Sequence, residues 1–137
     1  LEGDDMAGKT IETVAVIGLG LVGTLGAQWA ITAGCRVIGF DVRDDAVARM
    51  AASGVAAYNS ASADAVAVVQ SLTGGRGADA VLVCTATDSA EPLHTAAAVC
   101  RAGGSVVLVG TARIELPRRV FFDKEIKFSV SRSYGPG

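Results

Sequence analysis

The sequence has little of the material from which metal sites, disulfide frameworks and base-stacking surfaces are built. Among 137 residues there are one histidine and three cysteines, and only 5% of the residues are aromatic. The cysteines, Cys35, Cys84 and Cys100, form no C-x-x-C pair and have no histidine at ligand spacing, so we expect no metal site. An odd number of cysteines in apolar surroundings predicts reduced, buried thiols and a cytoplasmic protein.

Neither sign of charge is in excess, since 12 basic residues stand against 14 acidic ones. Without a basic stripe and with few aromatic side chains, we expect no nucleic-acid partner. The sequence contains no visible Ser-His-Asp arrangement, carboxylate pair or Tyr-x-x-x-Lys pair, so no catalytic residue is assigned. The single histidine, His94, lies in a predicted helix, where a surface or packing role is expected.

Charge is missing altogether from residues 13–35, a run of 23 residues that is long enough to span a bilayer. Three glycines, Gly18, Gly20 and Gly23, would interrupt a membrane helix there. No basic segment precedes the run and no small-residue cleavage site follows it, so a signal peptide is not indicated. We therefore interpret the run as a strand, a turn and a helix, and expect no membrane partner.

What the chain does have is a regular alternation of apolar runs, in a composition that is 50% hydrophobic. This length suits one domain with a core of its own. The predicted strands are residues 13–18, 36–41, 55–58, 80–85, 105–110 and 127–132. The predicted helices are residues 21–33, 43–54, 62–72, 90–104 and a short one within 117–126, with a loop at 73–79. This alternation predicts an α/β fold: a doubly wound, six-stranded parallel sheet with strand order 3-2-1-4-5-6.

The glycines of the charge-free run have the spacing G-x-G-x-x-G, directly after the first predicted strand. In this context Gly18 allows a tight turn, Gly20 lets the main chain approach a pyrophosphate, and Gly23 lets helix and strand pack closely. The helix start at Leu21 and Val22 would point unpaired N–H groups at that pyrophosphate. The alternative is a packing site of small residues, but the strand–turn–helix context favours a dinucleotide site.

A carboxylate at the end of the second predicted strand supports the same interpretation. Asp41 follows Gly23 by 18 residues, where it can accept both hydrogen bonds from an adenosine ribose. The carboxylate would repel the 2′-phosphate of NADP, so NAD is predicted in preference to NADP. Arg43 could pair with that phosphate, or could be a solvated cation over the adenine. Val42, between these two residues, is included in the predicted site.

The ends of two later strands complete the predicted site, because ligands of such sheets lie across the carboxyl ends of the strands. The residues concerned are Thr85 and Ala86 after the fourth strand, and Val109, Gly110 and Thr111 after the fifth. The two threonine hydroxyls could donate to a ligand or cap their strands, and the sequence does not separate these roles.

Together these motifs resemble the coenzyme-binding domain of the medium-chain, zinc-type alcohol dehydrogenases, over about residues 13–137. The first part, "VAVIGLGLVGTLGAQWAITAGCRVIGFD", is shared in style with many NAD enzymes. More specific are "TGGRGADAVLVCTA", "AAAVCRAGGSVVLVG" and "FFDKEIKFSVSRSYGPG". The ending "SRSYGPG" resembles the threonine-dehydrogenase-like branch, in which this module is fused to a second oxidoreductase domain.

The resemblance implies a Rossmann domain of a longer enzyme that transfers hydride between nicotinamide and an alcohol or carbonyl substrate. It implies cofactor roles for Gly18, Gly20, Gly23 and Asp41, whereas the small-molecule substrate, the catalytic residues and any zinc would belong to a catalytic domain absent from this chain. Residues 1–12 are then a linker and residues 13–137 the dinucleotide-binding domain, and the missing initiator methionine suggests a piece of a longer protein. Family members commonly dimerise through the sixth strand, here residues 127–132.

Two other functions stay open. The chain could be the N-terminal NAD domain of a sugar-nucleotide or 3-hydroxyacid dehydrogenase, which would continue into a helical domain. It could also be a non-catalytic NAD(H)-sensing module, which would need no catalytic domain on either side.

Overall fold

A computed structural model describes residues 12–131, which form one six-stranded parallel sheet in the order β3-β2-β1-β4-β5-β6. The strands are β1 (Thr13–Ile17), β2 (Arg36–Asp41), β3 (Ala56–Asn59), β4 (Ala78–Val83), β5 (Cys100–Leu108) and β6 (Lys127–Val130). The helices are α1 (Leu21–Thr32), α2 (Asp44–Ala52), α3 (Ala65–Leu72), α4 (Glu91–Val99) and α5 (Arg118–Lys124). The predicted doubly wound α/β sheet and its strand order are confirmed. The predicted linker up to residue 11 and the motif from residue 132 onward lie outside the described residues.

The sheet is buried on both faces, because helices cover each of them. Ala15 and Ile17 of β1 belong to a core layer that also contains residues of α3 and α4. Val14 and Val16, which point the other way, belong to a second layer that contains residues of α1 and α2. The uninterrupted apolar sequence of β1 is therefore what a strand covered on both faces requires.

Helix α1 meets the sheet with its smallest side chains. Gly23, Ala27 and Ala30 are buried, whereas Leu21 and Trp29 are 77% and 73% exposed. A Cβ at Gly23 would overlap the carbonyl oxygen of Gly18, so this close approach requires glycine. The charge-free run thus folds as β1, a turn and α1. Within residues 12–131, no helix is both long and apolar enough to cross a bilayer.

The boundary between α4 and β5 differs from the prediction. The helix predicted over 90–104 is wrong at its end, because α4 ends at Val99 and β5 begins at Cys100. The two glycines, Gly103 and Gly104, do not end the helix but lie in the irregular first part of β5, where the register against β4 shifts. Smaller differences concern the bounds of other elements. Helix α3 begins at residue 65 rather than 62, and the bounds of β3, β4 and β6 differ from the predicted ones by one or two residues.

Asp79, assigned to a loop from the sequence, is a buried residue of β4. Its carboxylate accepts the Thr13 N–H at 2.8 Å, and pairs with Arg101 Nε at 2.6 Å and an Arg76 nitrogen at 2.8 Å. A buried carboxylate requires such partners. The group ties β1, β4 and β5 together at the amino edge of the sheet, opposite the predicted cofactor site.

The three cysteines are free thiols, but only Cys100 is buried, while Cys35 and Cys84 are half-buried. The expectation of three buried thiols is therefore wrong for two of them, which lie at the margins of the core. Burial nevertheless raises the pKa of each thiol, that of Cys84 to about 11.

Candidate cofactor site

The turn after β1 is shaped by the main chain of the neighbouring strand. Gly18 has φ +98°, which L side chains rarely adopt, and its N–H donates to the Phe40 carbonyl at 2.8 Å. A Cβ at Gly18 would lie 2.9 Å from the carbonyl carbon of Cys84 and 3.0 Å from the Thr85 nitrogen. The turn itself therefore requires glycine at position 18.

Gly20 is different, because the protein itself does not require a glycine there. Its φ is −75°, and a Cβ on it would meet no atom of residues 12–131 within 4 Å. Helix α1 begins at the next residue without a side-chain cap, and no described hydrogen bond uses the N–H groups of Leu21 and Val22. Open space beside free N–H groups at a helix start is a suitable place for an anionic group.

Asp41, the last residue of β2, points its carboxylate at this turn. One oxygen, Oδ2, accepts the N–H of Leu19 at 2.7 Å, and Oδ1 accepts the N–H of Arg43 at 2.9 Å. The side chain of Asp41 is only 10% exposed, and Arg43 Nε lies 3.8 Å from Oδ1. A carboxylate offers about four acceptor positions, so capacity remains for hydroxyl groups of a ligand.

The loops after β4 and β5 also meet. Ala86 forms an isolated parallel bridge with Thr111, whose N–H donates to the Thr85 carbonyl at 2.7 Å. The N–H groups of Val109 and Gly110 donate to β4, and a Cβ at Gly110 would overlap the Thr85 carbonyl oxygen. The Thr85 hydroxyl donates to the Thr111 carbonyl at 3.4 Å, which favours the strand-capping role for this threonine.

These contacts place the predicted residues in one row along the carboxyl edge of the sheet. Asp41 bonds to the β1 turn, Gly18 of that turn packs against the end of β4, and the end of β4 bridges to the end of β5. The β5 end of the row opens into a depression of about 820 Å³, lined by Ala86, Thr87, Asp88, Thr111, Ala112 and Arg113. Sequence reasoning missed four of these residues, and their only signal was a position shortly after a predicted strand.

The described residues do not fit a metal centre. Among residues 12–131, no group of three or more His, Cys, Asp or Glu side chains comes together so that it could hold an ion. Cys84 lies next to the turn, but its raised pKa keeps the thiol protonated at neutral pH, which disfavours it as a ligand or nucleophile. His94 is exposed on α4, as expected.

A doubly wound sheet with a glycine turn after β1 and a carboxylate after β2 defines a dinucleotide-binding domain. Residues 22–137 match the family described as zinc-binding dehydrogenase, and the chain belongs to that family. Over 105 residues, 74% of this chain, it is 37% identical to "Putative alcohol dehydrogenase D" of Mycobacterium tuberculosis, of which it spans 28%.

Two solved structures show the same likeness. Alcohol dehydrogenase TADH from Thermus sp. ATN1 matches 88% of this chain and 35% of its own, with 28% identity and a TM-score of 0.76. A "putative zinc-binding dehydrogenase" from Sinorhizobium meliloti 1021, bound to NADP, matches 90% of this chain and 38% of its own, with 26% identity and a TM-score of 0.73. The chain therefore spans about a third of the length of these relatives.

The resemblance to zinc-type alcohol dehydrogenases is thus confirmed, and the chain is an NAD(P)-binding domain of that oxidoreductase family. The family whose model matches, zinc-binding dehydrogenase, is the one that the sequence motifs indicated. Membership of the threonine-dehydrogenase-like branch stays a prediction.

Proposed function

We propose that this chain is the NAD(H)-binding domain of a dehydrogenase that transfers hydride between nicotinamide and an alcohol or carbonyl substrate. The observation that carries the proposal is the open space over Gly20 beside the Asp41 carboxylate. Residues 13–137 would form this domain. The catalytic residues, the small-molecule substrate pocket and any zinc would belong to another part of the enzyme.

Each part of the row has a separate task in this proposal. The N–H groups of Leu21 and Val22 bind the pyrophosphate, which can approach because Gly20 has no side chain. The Asp41 carboxylate accepts hydrogen bonds from the adenosine ribose. The loop ends 85–86 and 109–111 flank the nicotinamide half, which supplies the hydride acceptor or donor when bound. Gly18 and Gly23 keep the turn and α1 close to the sheet.

The preference for NAD over NADP depends on Asp41. Its carboxylate is largely shielded from solvent, so its repulsion of a 2′-phosphate is weakly screened. Arg43 is directed at Asp41, with Nε 3.8 Å from Oδ1, rather than away from it. Because one relative is bound to NADP, family membership alone does not select the cofactor.

Calorimetric titration with NADH and NADPH, on the wild type and on Asp41→Ala, tests this proposal. We expect NADH to bind more tightly than NADPH, and Asp41→Ala to weaken NADH binding about tenfold or more, because two ribose hydrogen bonds are lost. Asp45→Ala removes an equal charge from an exposed position and should have little effect. Equal affinities for both cofactors, or an Asp41→Ala variant that binds NADH like the wild type, would contradict the proposal.

We propose further that two copies of the protein pair through β6. This strand is the last in the sheet order, and Val130 on it is 57% exposed. Its outer edge has no partner strand among the described residues, and such an edge with an exposed apolar side chain favours pairing with another edge. Sedimentation velocity over a range of concentrations should show a dimer that Val130→Asp shifts towards monomer. A wild-type monomer at every concentration would exclude this interface.

We also propose a cytoplasmic location, which is supported by three free thiols, since a reducing compartment keeps cysteines unpaired. Cell fractionation followed by immunodetection would test this, and recovery from a secreted fraction would contradict it.

A further inference from the structure

One side chain holds the loop that follows Asp41. Asn59 is the last residue of β3, and its Nδ2 donates to the Val42 carbonyl at 3.2 Å and to Asp44 Oδ1 at 2.6 Å. Val42 lies in the connection between β2 and α2 and Asp44 is the first residue of α2, so the two acceptors stand on either side of Arg43. Asn59 therefore connects the end of β3 to the loop that would contact the adenosine half of the cofactor.

The orientation of Asn59 is itself well determined. In the sheet register Asn59 is paired with Asp41, and the N–H of Ser60 donates to the Asp41 carbonyl at 3.0 Å. The other end of the amide, Oδ1, accepts the N–H of Ala61 at 2.8 Å. With oxygen acceptors on the nitrogen side and an N–H donor on the oxygen side, only one orientation of the amide satisfies its neighbours. The pairing of Asn59 in the sheet and the hydrogen bond to its Oδ1 thus fix the side chain that contacts the β2–α2 loop.

We propose that Asn59 is a positioning residue that sets the preference for NAD over NADP, an inference that rests on the proposed function above. While Asn59 holds Val42 and Asp44, the Arg43 N–H stays on Asp41 Oδ1 and its guanidinium remains beside the same oxygen. Without these bonds the loop gains freedom, so that Arg43 can turn towards a 2′-phosphate. Asp41 then also loses part of the support that orients it towards the ribose.

Titration of Asn59→Ala with NADH, NADPH and ADP-ribose tests the inference. We expect the affinities for NADH and ADP-ribose to fall together by about three- to tenfold, the range for loss of one or two hydrogen bonds. The affinity for NADPH should fall less or rise, so that the ratio of the two dissociation constants moves towards one. A residue with a merely structural role would weaken both cofactors by the same factor.

Ser62→Ala is the matched control, because its hydroxyl donates to the Asn59 carbonyl at 3.4 Å in the same turn but contributes nothing to the β2–α2 loop. It should leave all three affinities unchanged. In a double-mutant cycle on NADH binding, Asp44→Ala and Asn59→Ala should be non-additive, because both remove the same hydrogen bond.

Three results would overturn the inference: an unchanged ratio in Asn59→Ala, an equal effect of Ser62→Ala, or full additivity in the cycle. A wild type that binds neither NADH nor ADP-ribose would instead contradict the proposed function. The two failures are therefore distinguishable in one set of titrations.

Discussion

At the scale of single residues, an added Cβ at Gly18 or Gly23 would meet main-chain atoms of the protein. At Gly20 it would meet no atom within 4 Å in the part of the chain that the structure describes. The first two glycines are thus explained by folding alone. Gly20 is explained either by a ligand that occupies the space beside it or by its position as the N-cap of α1. These two explanations predict different results for a substitution.

Cys84, under the glycine turn, gives a prediction about pH. Burial raises the pKa of its thiol from an ordinary value of 9.0 to about 11, so the folded state disfavours the thiolate. This contribution to the free energy of unfolding is fully present below pH 9 and is lost as the pH rises towards 11. Urea unfolding at pH 8 and at about pH 10.5 should show a loss of stability that is smaller in Cys84→Ala.

The comparison with Cys84→Ala isolates this thiol, because burial also raises the pKa of Cys35 and Cys100. An identical dependence on pH in the two proteins would show that Cys84 ionises as easily in the folded state as in the unfolded one.

At the scale of elements, the end of α4 depends on a residue from another helix. The ammonium group of Lys124, at the end of α5, donates to the carbonyl oxygens of Ala97, Ala98 and Cys100 at 2.8, 3.1 and 2.9 Å. Burial lowers the pKa of this lysine. Its positive charge lies at the carboxyl end of α4, where the helix dipole favours a cation.

We expect Lys124→Met, which keeps most of the stem, to reduce the free energy of unfolding by about 1–3 kcal/mol, because several carbonyl groups lose a charged donor. Urea denaturation measures this. Arg119→Met, on the same helix at a side chain that is 92% exposed, is the control and should change the stability by less than about 0.5 kcal/mol. Equal losses in both variants would mean that the three bonds of Lys124 contribute nothing specific.

The same elements show which parts of the fold a sequence can predict. The bounds of the elements from β1 to β2 were predicted closely. The two strands are apolar runs, and the glycines that form the turn lie close together in the sequence. The boundary between α4 and β5 was not predicted correctly. It depends on Lys124, which is more than 20 residues away, and on the pairing of β5 with β4. Asp79 was missed for a similar reason, because its partners Thr13 and Arg101 are far away in sequence.

At the scale of the whole molecule, the sheet order explains why most of the candidate site could be predicted. Parallel strands in the order 3-2-1-4-5-6 bring the ends of β2, β1, β4 and β5 side by side, so residues chosen only for following a strand meet in one row. The bond from Leu19 to Asp41 and the two bonds of Asn59 could not be predicted, because they depend on side-chain directions across neighbouring strands. Local patterns thus predicted which residues line the candidate site, and contacts between distant segments give it its shape.

A dinucleotide in the space over Gly20 is the basis of the proposed function, and a Gly20→Asp variant puts a side chain into that space. Aspartate is a better helix N-cap than glycine, and its Cβ meets nothing within 4 Å, so the thermal midpoint should stay the same or rise. Its negative side chain would fill the place of the pyrophosphate. Gly20→Ser, a neutral cap with a smaller side chain, should bind NADH with intermediate affinity.

The decisive measurement is therefore calorimetric titration of folded Gly20→Asp with NADH beside the wild type. We expect a variant that is at least as stable as the wild type and no longer binds NADH. A stable variant that binds NADH as tightly as the wild type would contradict this expectation.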